Sequence, residues 1–141
     1  MTIPNLPPAA TATLAAWHKM AAAKDFTDLA SISAPDVLFR SPAFFKPYAG
    51  KDAFSLVIST VITIFEDFQY HRSFVTPDSQ SVVLEFSARI GDSQLKGIDM
   101  IRFAENGQIA EFEVMIRPAN ALLTLGKLMS ERAGPTLKDM R

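Results

Sequence analysis

Between residues 82 and 117 the chain alternates apolar and polar side chains three times over, and each repeat is cut off by a tight-turn signal. Val82, Leu84, Phe86, Ala88 and Ile90 alternate with Val83, Glu85, Ser87 and Arg89, and Gly91-Asp92 follows as a hairpin turn. Residues 95–103 and 108–117 repeat the pattern around Glu105-Asn106-Gly107, and Pro118 ends it. A period of two over such lengths suits half-buried strands, and short turns make neighbours antiparallel. Phe68, Tyr70, Arg72 and Phe74 alternate ahead of the turn at residues 76–79, adding a fourth strand. The result is a four-stranded antiparallel meander with one face committed to a core.

The preceding half reads as helices. Leu14, Trp17, Met20 and Ala21 share one face of a helix beginning at Thr11, with Thr11 or Thr13 as its cap. A second short helix over Phe26–Ile32 stops at Ser33-Ala34-Pro35, and Asp36–Ser41 forms a short strand. Residues 54–65 are rich in Val, Ile and Thr, which favours a strand. Yet Phe54, Val57, Ile58, Val61, Ile62 and Phe65 keep the helical rhythm over a run too long for a typical strand, so a helix capped near Asp52 is expected. A last helix spans 119–133, closed by Gly134-Pro135. The fold class is α+β: a strongly curved, cone-shaped antiparallel sheet around N-terminal helices, with an additional C-terminal helix. The expected layout is a flexible arm over 1–10, one domain over 11–134, and a tail over 135–141.

Several classes of function are disfavoured. With 14 basic and 15 acidic residues the net charge is -1, and the basic residues are scattered, so neither nucleic acid nor an anionic membrane is an expected partner. There is no cysteine, which removes thiolate chemistry and disulfides. Two histidines without ligand spacing give no metal site, and no cofactor is expected. The N-terminus lacks the pattern of a signal peptide, so a cytoplasmic location is expected.

Four segments carry a family resemblance: residues 22–29 (AAKDFTDL), 36–42 (DVLFRSP), 50–54 (GKDAF) and, most specifically, 97–109 (GIDMIRFAENGQI). Set on this order of elements, they resemble the nuclear transport factor 2-like superfamily, nearest its SnoaL-like polyketide cyclases and ketosteroid isomerases. The resemblance implies a pocket between sheet and helices, lined by Trp17, Phe54, Phe86, Phe112, Val114 and Ile116. In ketosteroid isomerases the position matching Asp99 holds a neutral carboxylic acid that donates a hydrogen bond to the developing enolate. Their base aspartate precedes the proline of the early strand, which here puts Ser41 in the site. Their first-helix tyrosine matches Trp17. A serine cannot act as a base near neutral pH without a base of its own.

Alternation alone places Asp99 on one face with Leu95, Gly97, Ile101 and Phe103, where desolvation raises a carboxyl pKa. The bland reading is a structural aspartate bonded to backbone, Arg40 or Arg72. Gly97 leaves space on that face, for a ligand or for a bulge. His71 enters the pocket as a second acid or base if Phe68, Tyr70 and Phe74 point outward; otherwise it is an ordinary surface histidine. Ser41, His71 and Asp99 as a nucleophilic trio lack any supporting motif. Glu111, Glu113, Met115 and Arg117, with Ile98 and Met100, fall on the outer sheet face, where pairing with a second copy is the expected cover. Two functions remain open. One is a small-molecule-binding protein for an apolar carbonyl compound, acting as a cyclase, isomerase or dehydratase through Asp99. The other is a non-catalytic binding or assembly module.

Overall fold

The computed structural model describes residues 5–140. Helix α1 (Pro8–Ala23) opens the chain, and a 3-10 turn (Leu29–Ile32) leads into strand β1 (Ser33–Arg40). A two-residue strand β2 (Tyr48–Ala49) precedes helix α2 (Lys51–Ile64). Strands β3 (Glu66–Val75), β4 (Ser81–Ile90), β5 (Ser93–Phe103) and β6 (Ile109–Arg117) form the meander, and helix α3 (Ala119–Asp139) closes the chain. The sheet order is β2-β1-β6-β5-β4-β3. The meander is antiparallel as expected, and β1 joins it by running parallel to β6, so the sheet is mixed but mostly antiparallel. The chain reaches that arrangement because α2 and the meander intervene between the two strands, room enough for a crossover.

Bulges bend the sheet. Residue pairing slips between Glu66 and Gln69 and again between Tyr70 and Ser73 in β3, and between Arg102 and Phe103 against β6. Each inserted residue sharpens local twist and curls the strand. The inner face holds Val82, Leu84, Phe86, Leu95, Ile101 and Phe112, all buried against the helices. Helix α2 meets them with Phe54, Val57 and Ile58, the stripe that its sequence period announces. Its first turn carries Asp52, where an acid favours the helix dipole, but the N-cap itself is Gly50.

Both ends of the domain extend further than expected. Helix α1 starts at Pro8 rather than Thr11, because proline fits the first helical position, where its missing N–H costs nothing. Pro8–Ala10 therefore belong to the helix and not to a loose arm, and Ala10 is buried; residues 1–4 of the arm lie outside the described residues. Gly107, at φ 86°, turns the chain beneath α1, where an added Cβ would lie 2.5 Å from the backbone carbon of Ala9. At the other end α3 runs through Pro135 to Asp139, so 135–139 are helix and not tail. Pro135 forfeits one helical hydrogen bond. Burial of Ala133 and Leu137 in the main core offsets that loss. The strand expected over 36–41 likewise starts earlier, at Ser33, with Pro35 inside the irregular stretch of its pairing with β6.

Leu137→Ala is expected to destabilise the protein by about 2–3 kcal/mol, the usual cost of a buried leucine truncated in a core. Urea unfolding measures it, and a change near zero would mean that the last helical turn is a solvated tail.

Candidate ligand site around Asp99

A cavity of about 100 Å³ lies between the inner sheet face and the helices. The sheet contributes Phe39, Phe68, Tyr70, Phe86, Asp99, Phe112, Val114 and Ile116. Helix α1 adds Trp17 and Ala21, and α2 adds Val57, Ile58, Val61 and Ile62. Helix α3 closes one side with Leu122, Leu125, Gly126, Met129 and Leu137. Residues 41–44 form a further wall, with Phe44 51% exposed. Asp99 is the one charged residue type in this lining.

Asp99 is only 6% exposed and makes no ion pair among the described residues. The arginines considered as its structural partners are engaged on the outer face, Arg40 with Glu111 and Arg72 with Glu85. Its partner is Tyr70, whose hydroxyl donates to Asp99 Oδ2 at 2.6 Å, and Trp17 Nε1 donates to the same hydroxyl at 2.8 Å. Burial pushes the Asp99 carboxyl up to about 7, while the Tyr70 hydrogen bond pulls it down. Tyr70 is raised well above an ordinary phenol by burial first, then by the Asp99 charge and the hydrogen bond to it.

The candidate residues separate into groups. Trp17, Ser41, Phe86, Asp99, Phe112, Val114 and Ile116 all border the cavity. Phe54 does not: it is fully buried beside Phe39 and Phe112, with ring centroids 6.0 and 5.3 Å away, and serves as core behind the wall. Gly97 makes room for a neighbouring side chain rather than for a ligand. A Cβ there would lie 2.6 Å from the Met115 carbonyl oxygen and 2.8 Å from Phe86 Cε2, and would collide with Phe86 Cζ. The Phe86 ring occupies the notch that the glycine leaves.

His71 is on the wrong side of the sheet for catalysis in this cavity. Phe68 and Tyr70 point inward, so His71 points outward, exposed, with Nε2 2.7 Å from Ser87 Oγ. Ser41 Oγ accepts the backbone N–H groups of Ala43 and Phe44 at 3.0 and 3.1 Å, which shapes the loop. With His71 across the sheet, the Ser41–His71–Asp99 trio is not assembled. Tyr70 is the cavity residue bonded to Asp99 that sequence reasoning passed over as one of an aromatic set. The available signal was its alternation with Phe68, which puts both on one face of the strand. His18 packs edge-on against the Tyr70 ring, with ring centroids 5.2 Å apart, and burial lowers its pKa. Among the described residues no cluster of His, Asp or Glu could hold a metal ion, and no helix is long and apolar enough to cross a membrane.

The raised carboxyl has a consequence for stability. The folded protein holds the Asp99 proton more tightly than the unfolded chain, so its contribution is complete below the unfolded value near 4. That contribution is lost as pH rises to about 7, then stays flat. The change from 3.8 to about 7 corresponds to on the order of 4 kcal/mol. In urea unfolding across this range, wild type is expected to lose stability relative to Asp99→Asn by an amount of that order. A difference independent of pH would mean that Asp99 does not titrate there.

A family model described as a SnoaL-like domain matches residues 14–112. Comparison with curated proteins finds no match. Among solved structures, the chain is similar to a steroid delta-isomerase from Pseudomonas aeruginosa, at 50% identity and a TM-score of 0.91, covering 97% of this chain and 99% of that one. It is also similar to an uncharacterized protein with a cystatin-like fold from Silicibacter pomeroyi DSS-3, at 27% identity and a TM-score of 0.83, over 91% and 93% of the two chains. An NTF2-like protein of unknown function from Mesorhizobium loti shares the fold alone, at 16% identity and a TM-score of 0.68, over 81% and 99%. With its cone cavity and with most of its length matched, the chain belongs to the SnoaL-like domain family and has the nuclear transport factor 2-like fold.

Proposed function

We propose that this protein binds a small, largely apolar carbonyl compound in the cone cavity, with neutral Asp99 donating a hydrogen bond to the carbonyl oxygen. The observation that carries this reading is a single buried carboxyl, bonded to a phenol rather than to a cation, in an otherwise apolar cavity. A pKa of about 7 leaves much of the carboxyl protonated near neutrality, the state in which it can donate. An apolar cavity with few, convergent polar groups is the usual form of a small-molecule site. The 50% identical relative is a steroid delta-isomerase, which supports a carbonyl substrate class for this chain too.

The chemistry proposed is cofactor-independent acid assistance of a cyclisation, isomerisation or dehydration. Asp99 polarises the carbonyl and holds or gives up a proton at its oxygen. The two-carboxylate route of steroid isomerisation is not part of this reading. It needs a base, and the residue before Pro42 is Ser41, whose oxygen already accepts two backbone N–H groups. Binding without turnover is the second reading, favoured by the same lining, in which no carboxylate besides Asp99 and no histidine borders the cavity.

If neutral Asp99 is the donor, affinity follows its protonated fraction. Binding of a cyclic enone such as a tetralone, followed by calorimetry, is expected to weaken about tenfold between about pH 6 and pH 8. Asp99→Asn should bind it with no such dependence, and Asp99→Ala should bind it about tenfold or more weakly, having lost the donor. Equal affinity in wild type and Asp99→Ala, with no pH dependence, would sink the proposal.

A further inference from the structure

The Tyr70 hydroxyl stands between two groups of unequal character. Trp17 Nε1 lies 2.8 Å from it and Asp99 Oδ2 2.6 Å. An indole N–H can donate and cannot accept. Tyr70 must therefore accept from Trp17, and its one proton goes to its other neighbour, Asp99 Oδ2. The reverse arrangement, with Asp99 protonated on Oδ2 and donating to Tyr70, would leave the phenol proton with no acceptor among the described residues, because its other neighbour, Trp17 Nε1, is itself a donor. That costs the desolvation of a donor. Oδ2 is thus an acceptor whether Asp99 is charged or neutral.

The other carboxyl oxygen is differently placed. Tyr70 is the only hydrogen-bond partner of the Asp99 carboxyl among the described residues. Yet none of the described fully enclosed side-chain polar atoms lacks a partner. Oδ1 is therefore not enclosed, and the open space that Asp99 borders is the cavity.

We infer that Trp17 is a positioning residue: acting through Tyr70, its indole N–H fixes the direction of the hydrogen-bond chain, so that neutral Asp99 carries its proton on Oδ1, facing the cavity. This rests on the reading of Asp99 as the donor to a bound carbonyl. It adds that the proton is aimed before any ligand arrives. The chain crosses from α1 to β3 to β5, passing over β4, where Phe86 packs edge-on to Tyr70 at 6.4 Å. A helix and two non-adjacent strands therefore hold one proton in register.

Few other titratable groups face this chain. His18 of α1 packs against the Tyr70 ring, and Tyr48 of β2 lines the same cavity. The charges of the neighbouring strands pair on the outer face: Arg72 of β3 and Lys96 of β5 with Glu85 of β4, and Arg102 of β5 with Glu111 of β6. Asp99 can accordingly be followed alone, by carboxyl carbon NMR on ligand-free protein labelled at aspartate, with Asp99→Asn identifying its signal.

Tyr70→Phe removes the bond that holds the carboxyl down and is expected to weaken Asp99 proton dissociation about tenfold. Trp17→Phe should weaken it about threefold, by loosening the Tyr70 bond, and should add nothing in the Tyr70→Phe background. Should Trp17→Phe not fold, the sole tryptophan can be replaced biosynthetically by benzothienylalanine, which keeps the ring shape and lacks the N–H. An unchanged Asp99 midpoint in the Trp17 variant, or an equal shift with and without Tyr70, would overturn the inference. Because the titration needs no ligand, failure of enone binding would refute the proposed function and leave this result to be judged separately.

Discussion

Ten residue pairs join β4 to β5 without a slip, from Ser81 with Arg102 to Ile90 with Ser93. Everything in the site depends on that ladder. Side chains on a strand change face at every residue, so a shift by one would turn the whole of β5 over. Asp99 would go to solvent, and Ile98 and Met100 would replace it inside. In the observed register Leu84 stands opposite Asp99 and Phe86 opposite Gly97. The second pair fixes the register sterically, because only glycine leaves the notch that the Phe86 ring occupies. A large aromatic and a missing side chain thereby lock the strand that carries the acid.

Burying a carboxyl in such a place is unfavourable, and the fold offsets it only in part. One hydrogen bond from Tyr70 stabilises the charged form, whereas desolvation disfavours it more strongly, and the balance is a carboxyl near 7. An arginine at Oδ1 would have reversed that balance and made Asp99 an ordinary ion-pair member. The arginines Arg40, Arg72 and Arg102 are instead all engaged with Glu85 or Glu111 on the outer face. Segregating the cations outside leaves the cavity with an acid that can be neutral.

Much of this was legible in the sequence, for a simple reason. Periods of two and 3.6 record which side of an element faces a core, and both were strong in residues 54–65 and 82–117. What periodicity cannot record is an inserted residue. In β3 the pairing slips between Tyr70 and Ser73, so Phe74, in step with Phe68 and Tyr70 by count, emerges on the outer face, 52% exposed. Taken as one alternating set, those aromatics left the direction of His71 undecided. The bulge decides it, with Tyr70 inside and His71 against Ser87. Prolines misled at both ends for a related reason. Pro8 starts a helix, and Pro135 stays inside one because Leu137 is buried beyond it.

The site departs from a two-carboxylate isomerase in a coherent way. The resemblance puts Ser41 where those enzymes have their base, and it is committed to loop backbone. The resemblance puts Trp17 at the position of their helix tyrosine, and here the indole meets a phenol from β3, Tyr70. A tyrosine on α1 could offer its own proton to a ligand, whereas an indole beside Tyr70 directs the phenol toward Asp99. The two donors act in series, Trp17 to Tyr70 and Tyr70 to Asp99 Oδ2, which leaves Asp99 Oδ1 as the carboxyl oxygen without a protein partner among the described residues. On the reading proposed here, such a cavity would grip one oxygen of an otherwise apolar guest, and any chemistry would pass through that contact.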